Sequence, residues 1–221
     1  MTKFGTVFLV ALAGAALVGL AQPRSGGRAL VDGPAARNRR LTALAGILVY
    51  ALLVAIAVTT INIRSFLIAH YLVGFLLLPP VILKLGGTGY RFLRYYSGSE
   101  PFRLAGAPPL LLRFLVAPLL VASTTAVFAT GLELWLFGLQ FGSVWISAHT
   151  LSAVIMLVAV GAHLLAHMRL SADVLVDEVA ARREAVLSPG SLAVASLVCG
   201  AVLAAASLLY VSPFTTSVAG G

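Results

Sequence analysis

Residues 145–169, WISAHTLSAVIMLVAVGAHLLAHMR, are long and apolar enough to cross a bilayer, yet they carry three histidines, His149, His163 and His167. No other stretch limits the fold so tightly, because a polar ring at membrane depth is costly and marks a partner, a cofactor or an ion path. At about 100° per residue His163 falls within about 40° of His149, and His167 falls in line with it, so all three share one helix face. Fourteen residues separate His149 from His163. At about 1.5 Å each they span roughly 21 Å, which sets one ring near each side of a hydrocarbon core about 30 Å thick. One helix thus presents two stacked positions.

Of 221 residues, 60% are hydrophobic and only 10% are charged, too few charges to clothe a soluble globule. The expectation is an all-α integral membrane bundle, with room for five or six spans of about 20 residues. The single cysteine, Cys199, excludes an intrachain disulfide and a cysteine-ligated cluster. A net charge of +8 fits either an anionic partner such as nucleic acid or an orientation signal, and the placement of the basic residues decides between them.

Residues 4–21 read either as a first span or as a cleaved signal with a small-residue site at Gly19-Leu20-Ala21. Arg24, Arg28, Arg37, Arg39 and Arg40 follow, against Asp32 alone, and so many arginines favour an uncleaved helix followed by a cytoplasmic loop. Residues 41–61 run outward and residues 65–84 return, joined by the tight connection Asn62-Ile63-Arg64. GGTGYRFLRYYSGSEPFRLAGAPP reads as an inner linker whose Arg91, Arg94 and Arg103 are interleaved with aromatic rings, as at a headgroup boundary. Residues 110–138 run outward and the histidine helix comes back. Residues 170–189 read as an amphipathic helix on the surface, and residues 191–211 cross last.

On this map 13 of the 15 Lys and Arg residues lie in or beside the three inner loops, with Lys3 and Arg64 outside. The basic residues therefore mark orientation, and no nucleic-acid partner is implied. The expectation is six spans, or five if the first is a cleaved signal, in the plasma membrane with both termini extracytoplasmic. Residues 1–40 form an N-terminal span and basic linker, 41–169 a four-helix cofactor-binding core, and 170–221 a surface helix and last span.

His70, the fourth histidine, sits a few residues into a span that runs the same way as the histidine helix, so His70 and His149 share a depth near the outer surface. Two histidines facing each other at one level can hold an iron from both sides of a haem plane. Gly74, one turn beyond His70, would let a flat macrocycle approach the backbone, and Gly131 could do so from a neighbouring helix. Arg64 is placed to pair with haem propionates at the rim, and Glu133 to hydrogen-bond nearby or snorkel to water. The inner level is incomplete. His163 and His167 face no histidine, and fourteen residues after His70 stands Lys84, which reads as a snorkelling, orientation-setting residue. Pro79-Pro80 predicts a bend just before it. A zinc or copper site on His163 and His167 has ligands at i and i+4 but no carboxylate or thiol beside them. No nucleophile with its base and no paired carboxylates occur, which points to electron movement with the bond-making left to a partner.

With these residues in view, the chain resembles the membrane-embedded b-type cytochromes with a four-helix haem-binding core that serve hydrogenases, formate dehydrogenases and molybdopterin oxidoreductases. The resemblance covers roughly residues 41–169. It rests on His70, on His149 and His163 fourteen apart, and on KLGGTGYRFLRYYSG followed by PPLLLRFL, which looks like the inner loop of actinobacterial members associated with sulfite-oxidase-like molybdopterin proteins. It implies bis-histidine haem b, with His70 and His149 as metal ligands and His163 or His167 as the far ligand, passing electrons between an enzyme at one face and quinone or another carrier. Lys84 departs from the pattern where a fourth histidine is expected, so one haem is implied more firmly than a second.

The reading that joins these observations is a transmembrane b-type cytochrome that relays electrons between an extracytoplasmic oxidoreductase of the molybdopterin type and a membrane carrier, as an electron-transfer subunit and not a self-contained enzyme. Two rivals use the same residues differently. A haem-free transporter or channel would line a proton or ion path with the aligned histidines and Lys84, and a scaffold subunit would use them only to join helices.

Overall fold

The computed structural model describes residues 2–22, 33–106, 110–181 and 188–215. Among these, six helices are long and apolar enough to cross a membrane. A spanning segment has no water to satisfy its amides and must close its own hydrogen bonds, which is what a helix does. The elements are α1 (Thr2–Ala21), α2 (Pro34–Ile61), α3 (Ile63–Tyr96), the short α4 (Glu100–Leu104), a π-helical turn (Leu112–Val116) that leads into α5 (Ala117–Phe137), α6 (Val144–Ala181) and α7 (Pro189–Ser207). Large apolar side chains such as Leu17, Ile82, Val158 and Val202 stay exposed along the long helices, as expected of faces that meet lipid.

Local chemistry sets several of the ends. Pro34 and Pro189 stand in the first turn of α2 and α7, where a missing N–H costs nothing. The Ser188 hydroxyl accepts from the Ser191 amide at 3.0 Å, an N-cap. Asn62 alone joins α2 to α3, and its side chain accepts from the Ser65 amide at 3.4 Å. Gly138 closes α5 with φ +61°, a left-handed conformation that glycine adopts without strain.

The long helices alternate in direction. Gly5 of α1 lies against Thr60 and Ile61 of α2, and Gly19 against Leu164 and Met168 of α6. Asn38, near the start of α2, donates to the Gly87 carbonyl of α3 at 3.0 Å. Beyond α7, Ser212 donates to the Trp135 carbonyl of α5 at 2.7 Å. The first residues of α1, the Asn62 corner, the α5–α6 loop and Ser212 therefore share one end of the bundle, and Asn38 and Gly87 mark the other. The main core joins Phe8 and Leu12 of α1, Leu53 and Ala57 of α2, Leu77 and Val81 of α3, and Met156 and Leu164 of α6. Thus α1 is a packed member of the bundle. Its last turn is held by Arg169, which donates to the Leu20 carbonyl at 2.9 Å, a cation on free carbonyls at a helix C-terminus.

Two helices, α3 and α6, differ from the sequence expectation. The glycine-rich segment after Lys84 continues α3 as far as Tyr96, because Gly87 lets Thr42 of α2 pack against the α3 backbone while Asn38 binds its carbonyl. The segment after Arg169, expected as a separate surface helix, continues α6 to Ala181, tied back by Val174 in a second apolar cluster with Ala43, Leu44 and Ala193. Arg24, Arg28, Asp32, Arg182, Arg183 and Glu184 lie outside the described residues. The backbone of α3 leaves helical φ/ψ at Phe66 (φ −112°, ψ 20°), and the helix continues through Pro79-Pro80.

Candidate bis-histidine site

Toward the Asn62 end, α3 and α6 bring His70 and His149 together, with ring centroids 6.3 Å apart and planes at 82°. Each ring is fixed from behind by a threonine of a neighbouring helix. Thr59 of α2 donates to its own helix at the Ile56 carbonyl (2.7 Å) and lies 2.9 Å from His70 Nδ1. Its single proton is spent, so its oxygen accepts and His70 Nδ1 carries the hydrogen. Thr130 of α5 likewise donates to the Ala126 carbonyl at 2.6 Å and lies 3.1 Å from His149 Nδ1. The Val127 carbonyl stands 3.1 Å from the same nitrogen, and a carbonyl can only accept. Both neutral rings are thereby set in the Nδ1–H tautomer. The Nε2 lone pairs are left over, and neither Nε2 forms a hydrogen bond among the described residues.

That is the state in which imidazole binds a metal, with the other nitrogen held by an outer partner that orients the ring and raises its basicity. Two imidazoles sharing one metal from opposite sides, each with a bond of about 2 Å, put their ring centres about 6 Å apart. The observed separation fits. Among the described residues no three of His, Cys, Asp and Glu gather as a metal site, whereas a macrocycle that supplies the equatorial nitrogens needs only two axial ligands from the protein.

The accompanying residues divide. At Gly74 nothing stands within 4 Å of where a Cβ would be, leaving the α3 surface open one turn below His70. Gly131 serves the imidazole instead of a cofactor face, since a Cβ there would stand 3.0 Å from His149 Cε1. Arg64 is exposed near the Asn62 corner. Neither carboxylate oxygen of Glu133 has a hydrogen-bond partner among the described residues.

The second level has a different construction. His163 and His167 stack on each other with centroids 4.6 Å apart, and no histidine faces them. Lys84 does not snorkel. Its ammonium crosses to α2 and donates to the Thr42 carbonyl at 2.6 Å, through space left by Gly46, where a Cβ would stand 3.0 Å from Nζ. A hydrogen bond from an ion to a carbonyl otherwise shared only along the helix gives the charge a partner that apolar surroundings do not.

Sequence reasoning missed Thr59 and Thr130. Both return a hydrogen bond to their own helix, as threonine in an apolar helix commonly does, so nothing local marks them. Compared with family models, curated proteins and solved structures, the chain matches none. The cytochrome resemblance therefore rests on the residues quoted for it above.

Proposed function

We propose that the chain is a transmembrane b-type cytochrome subunit that holds one haem between His70 and His149 and relays electrons. The observation that carries this reading is a pair of rings with centroids 6.3 Å apart, each with its Nδ1–H tied to a threonine and its Nε2 without a hydrogen bond among the described residues. Haem, when bound, supplies an iron that gains and loses one electron. The chain orients the two ligands, keeps their protons on the far nitrogens and surrounds the site with apolar helix. Arg64 lies at the same end, where it can pair with carboxylates.

Orientation follows from charge. Arg37, Arg39, Arg40, Arg91, Arg94 and Arg103 belong to the Asn38 end, and only Lys3 and Arg64 to the described part of the other, so the Asn38 end faces the cytoplasm and the paired histidines lie toward the outside of the plasma membrane. The redox partner is then an extracytoplasmic oxidoreductase docking by the α5–α6 loop, of the molybdopterin type if the resemblance holds, and quinone is the membrane carrier. A histidine-lined ion path fits less well. Between Ser152 and His163 the buried residues of α6 are Met156 and Ala159, with Met156 in the apolar core, so α6 offers a proton no relay over that stretch.

Protein purified from haem-replete cells should absorb as a haem protein, change its spectrum on reduction with dithionite, and contain about one iron per chain. A colourless, folded protein would overturn the proposal, and pH-driven flux in vesicles without bound iron would favour the transporter.

The threonines allow a graded check. Among the described residues Thr59 is the sole partner of His70 Nδ1, whereas His149 keeps the Val127 carbonyl if Thr130 is lost. Outer-shell partners of metal-bound histidine are worth about 10–100-fold in affinity. In a haem titration, Thr59→Val should therefore weaken binding toward the upper end of that range, Thr130→Val should do less, and Thr59→Ser should restore most of it.

A further inference from the structure

Arg113 stands at the start of the α5 span, in the π-helical turn Leu112–Val116. Its guanidinium carbon lies 4.7 Å from the ring centre of Tyr96, 5.9 Å from that of Tyr95 and 4.8 Å from that of Phe114, all within the range of cation–π attraction. The two tyrosines close α3, so the ends of two spans meet around one cation. Phe92 extends the group, with its ring centre 4.5 Å from that of Tyr96. Such rings hold a cation in place but give its N–H groups no strong acceptor. The Arg113 Nε is shielded from solvent without a hydrogen-bond partner, and the residue makes no ion pair among the described residues. A partly desolvated guanidinium with unspent donors calls for an oxyanion, its usual partner.

The neighbouring charges do not supply one. From Arg91 to Arg113 the sequence holds four arginines and one acid, Glu100, which is exposed and forms no ion pair among the described residues. Arg91 and Arg94 turn to the segment after α3, donating to the Gly106 carbonyl at 3.1 Å and to the Ser99 hydroxyl at 3.1 Å. On α6, Asp173 lies 3.6 Å from Arg169, and Asp177 and Glu178 follow it. Phe92, Tyr96 and Phe114 remain 53%, 50% and 64% exposed, so the rings that hold the cation also open toward lipid.

We infer that Arg113, seated on the rings of Tyr95, Tyr96 and Phe114, binds one anionic phospholipid, with the phosphate on the guanidinium and an acyl chain along the exposed rings. The excess of arginine favours an anionic headgroup over a zwitterionic one. The aromatic rim at the ends of two spans favours a lipid over free phosphate. The site lies at the opposite end of the bundle from His70 and His149 and uses none of their surroundings, so it stands without the haem reading.

The test is native mass spectrometry of the full chain in detergent, titrated with phosphatidylglycerol, phosphatidylcholine or inorganic phosphate. The first phosphatidylglycerol should bind about tenfold more tightly than phosphatidylcholine, and phosphate should not be retained at the same concentration. Arg113→Gln should weaken phosphatidylglycerol binding by about fivefold or more. Arg103→Gln removes an equal but exposed charge from the same end and should change it by less than about twofold. Tyr96→Leu, which keeps every charge, should weaken it about threefold by releasing the guanidinium. If the glutamine variant fails to fold, Arg113→Lys keeps the charge and should still lose about threefold, because an ammonium lacks the planar fork that takes two phosphate oxygens. Circular dichroism on each variant establishes which have folded. Equal affinity for the two lipids would overturn the inference. Phosphate retained as tightly as phosphatidylglycerol would identify a free anion and overturn it too, and equal losses in Arg113→Gln and Arg103→Gln would reduce the site to a general basic field.

Discussion

Replacing His70 by alanine is expected to abolish haem absorption in the purified protein while leaving its helices folded, and His149→Ala should do the same. On the proposed reading the two rings would be the protein's ligands to the iron, and among the described residues no three of His, Cys, Asp and Glu gather there, so either change would remove half of the protein's hold on it. Folding should survive because neither substitution strands a buried donor. Thr59 keeps its bond to the Ile56 carbonyl and Thr130 its bond to Ala126, and what each loses is a proton to accept, the lesser fault in a buried group. His163→Ala is the discriminating control. If the pigment depends on the 6.3 Å pair, that variant keeps its haem. Loss of pigment in His163→Ala together with its retention in His70→Ala would move the iron to the other level and sink the assignment. Circular dichroism and elution volume on each variant separate loss of ligand from loss of fold.

Much of this architecture can be read in the sequence, for two distinct physical reasons. Apolar runs must become helices in a membrane, so the six long helices follow from composition alone. Helical rise converts a spacing of fourteen residues into two levels about 21 Å apart, so the separation between the His70–His149 level and that of Lys84 and His163 is arithmetic. What is not legible depends on contacts between helices. The helices outrun the apolar runs at Tyr96 and Ala181 because neighbours hold the polar turns in place: Asn38 and Thr42 for α3, and the Ala43, Leu44 and Ala193 cluster for α6. Lys84 turns to Thr42 because of an absent side chain at Gly46, 38 positions earlier. Its own helix contains no sign of this. The threonines that fix the imidazole tautomers look like any other threonine in an apolar helix until the ring of another helix is set beside them.

A leucine at Gly200 is expected to be the most damaging single change outside the site. Pro80 has no N–H, so the Leu76 carbonyl of α3 lacks its usual intrahelical donor. Helix α7 comes to that carbonyl with Gly200, and a Cβ there would collide with Leu76 O and lie 3.0 Å from its carbon. Small residues allow backbones this close, and the approach brings Cα–H groups against an under-used acceptor. The obstacle is main chain, which cannot turn aside as a side chain can, so α7 must be driven off α3. Overpacking typically costs about 1–3 kcal/mol, and with backbone on both sides the upper end applies, at about 3 kcal/mol or outright loss of monodisperse protein. Gly14→Leu provides the comparison, since nothing stands within 4 Å of its Cβ position, and it should change stability by no more than about 0.5 kcal/mol. Denaturation followed by circular dichroism in one detergent measures both. If the two variants unfold together, α7 does not pack on the proline-freed turn of α3, and the explanation for how two adjacent prolines sit inside a continuous helix fails with it.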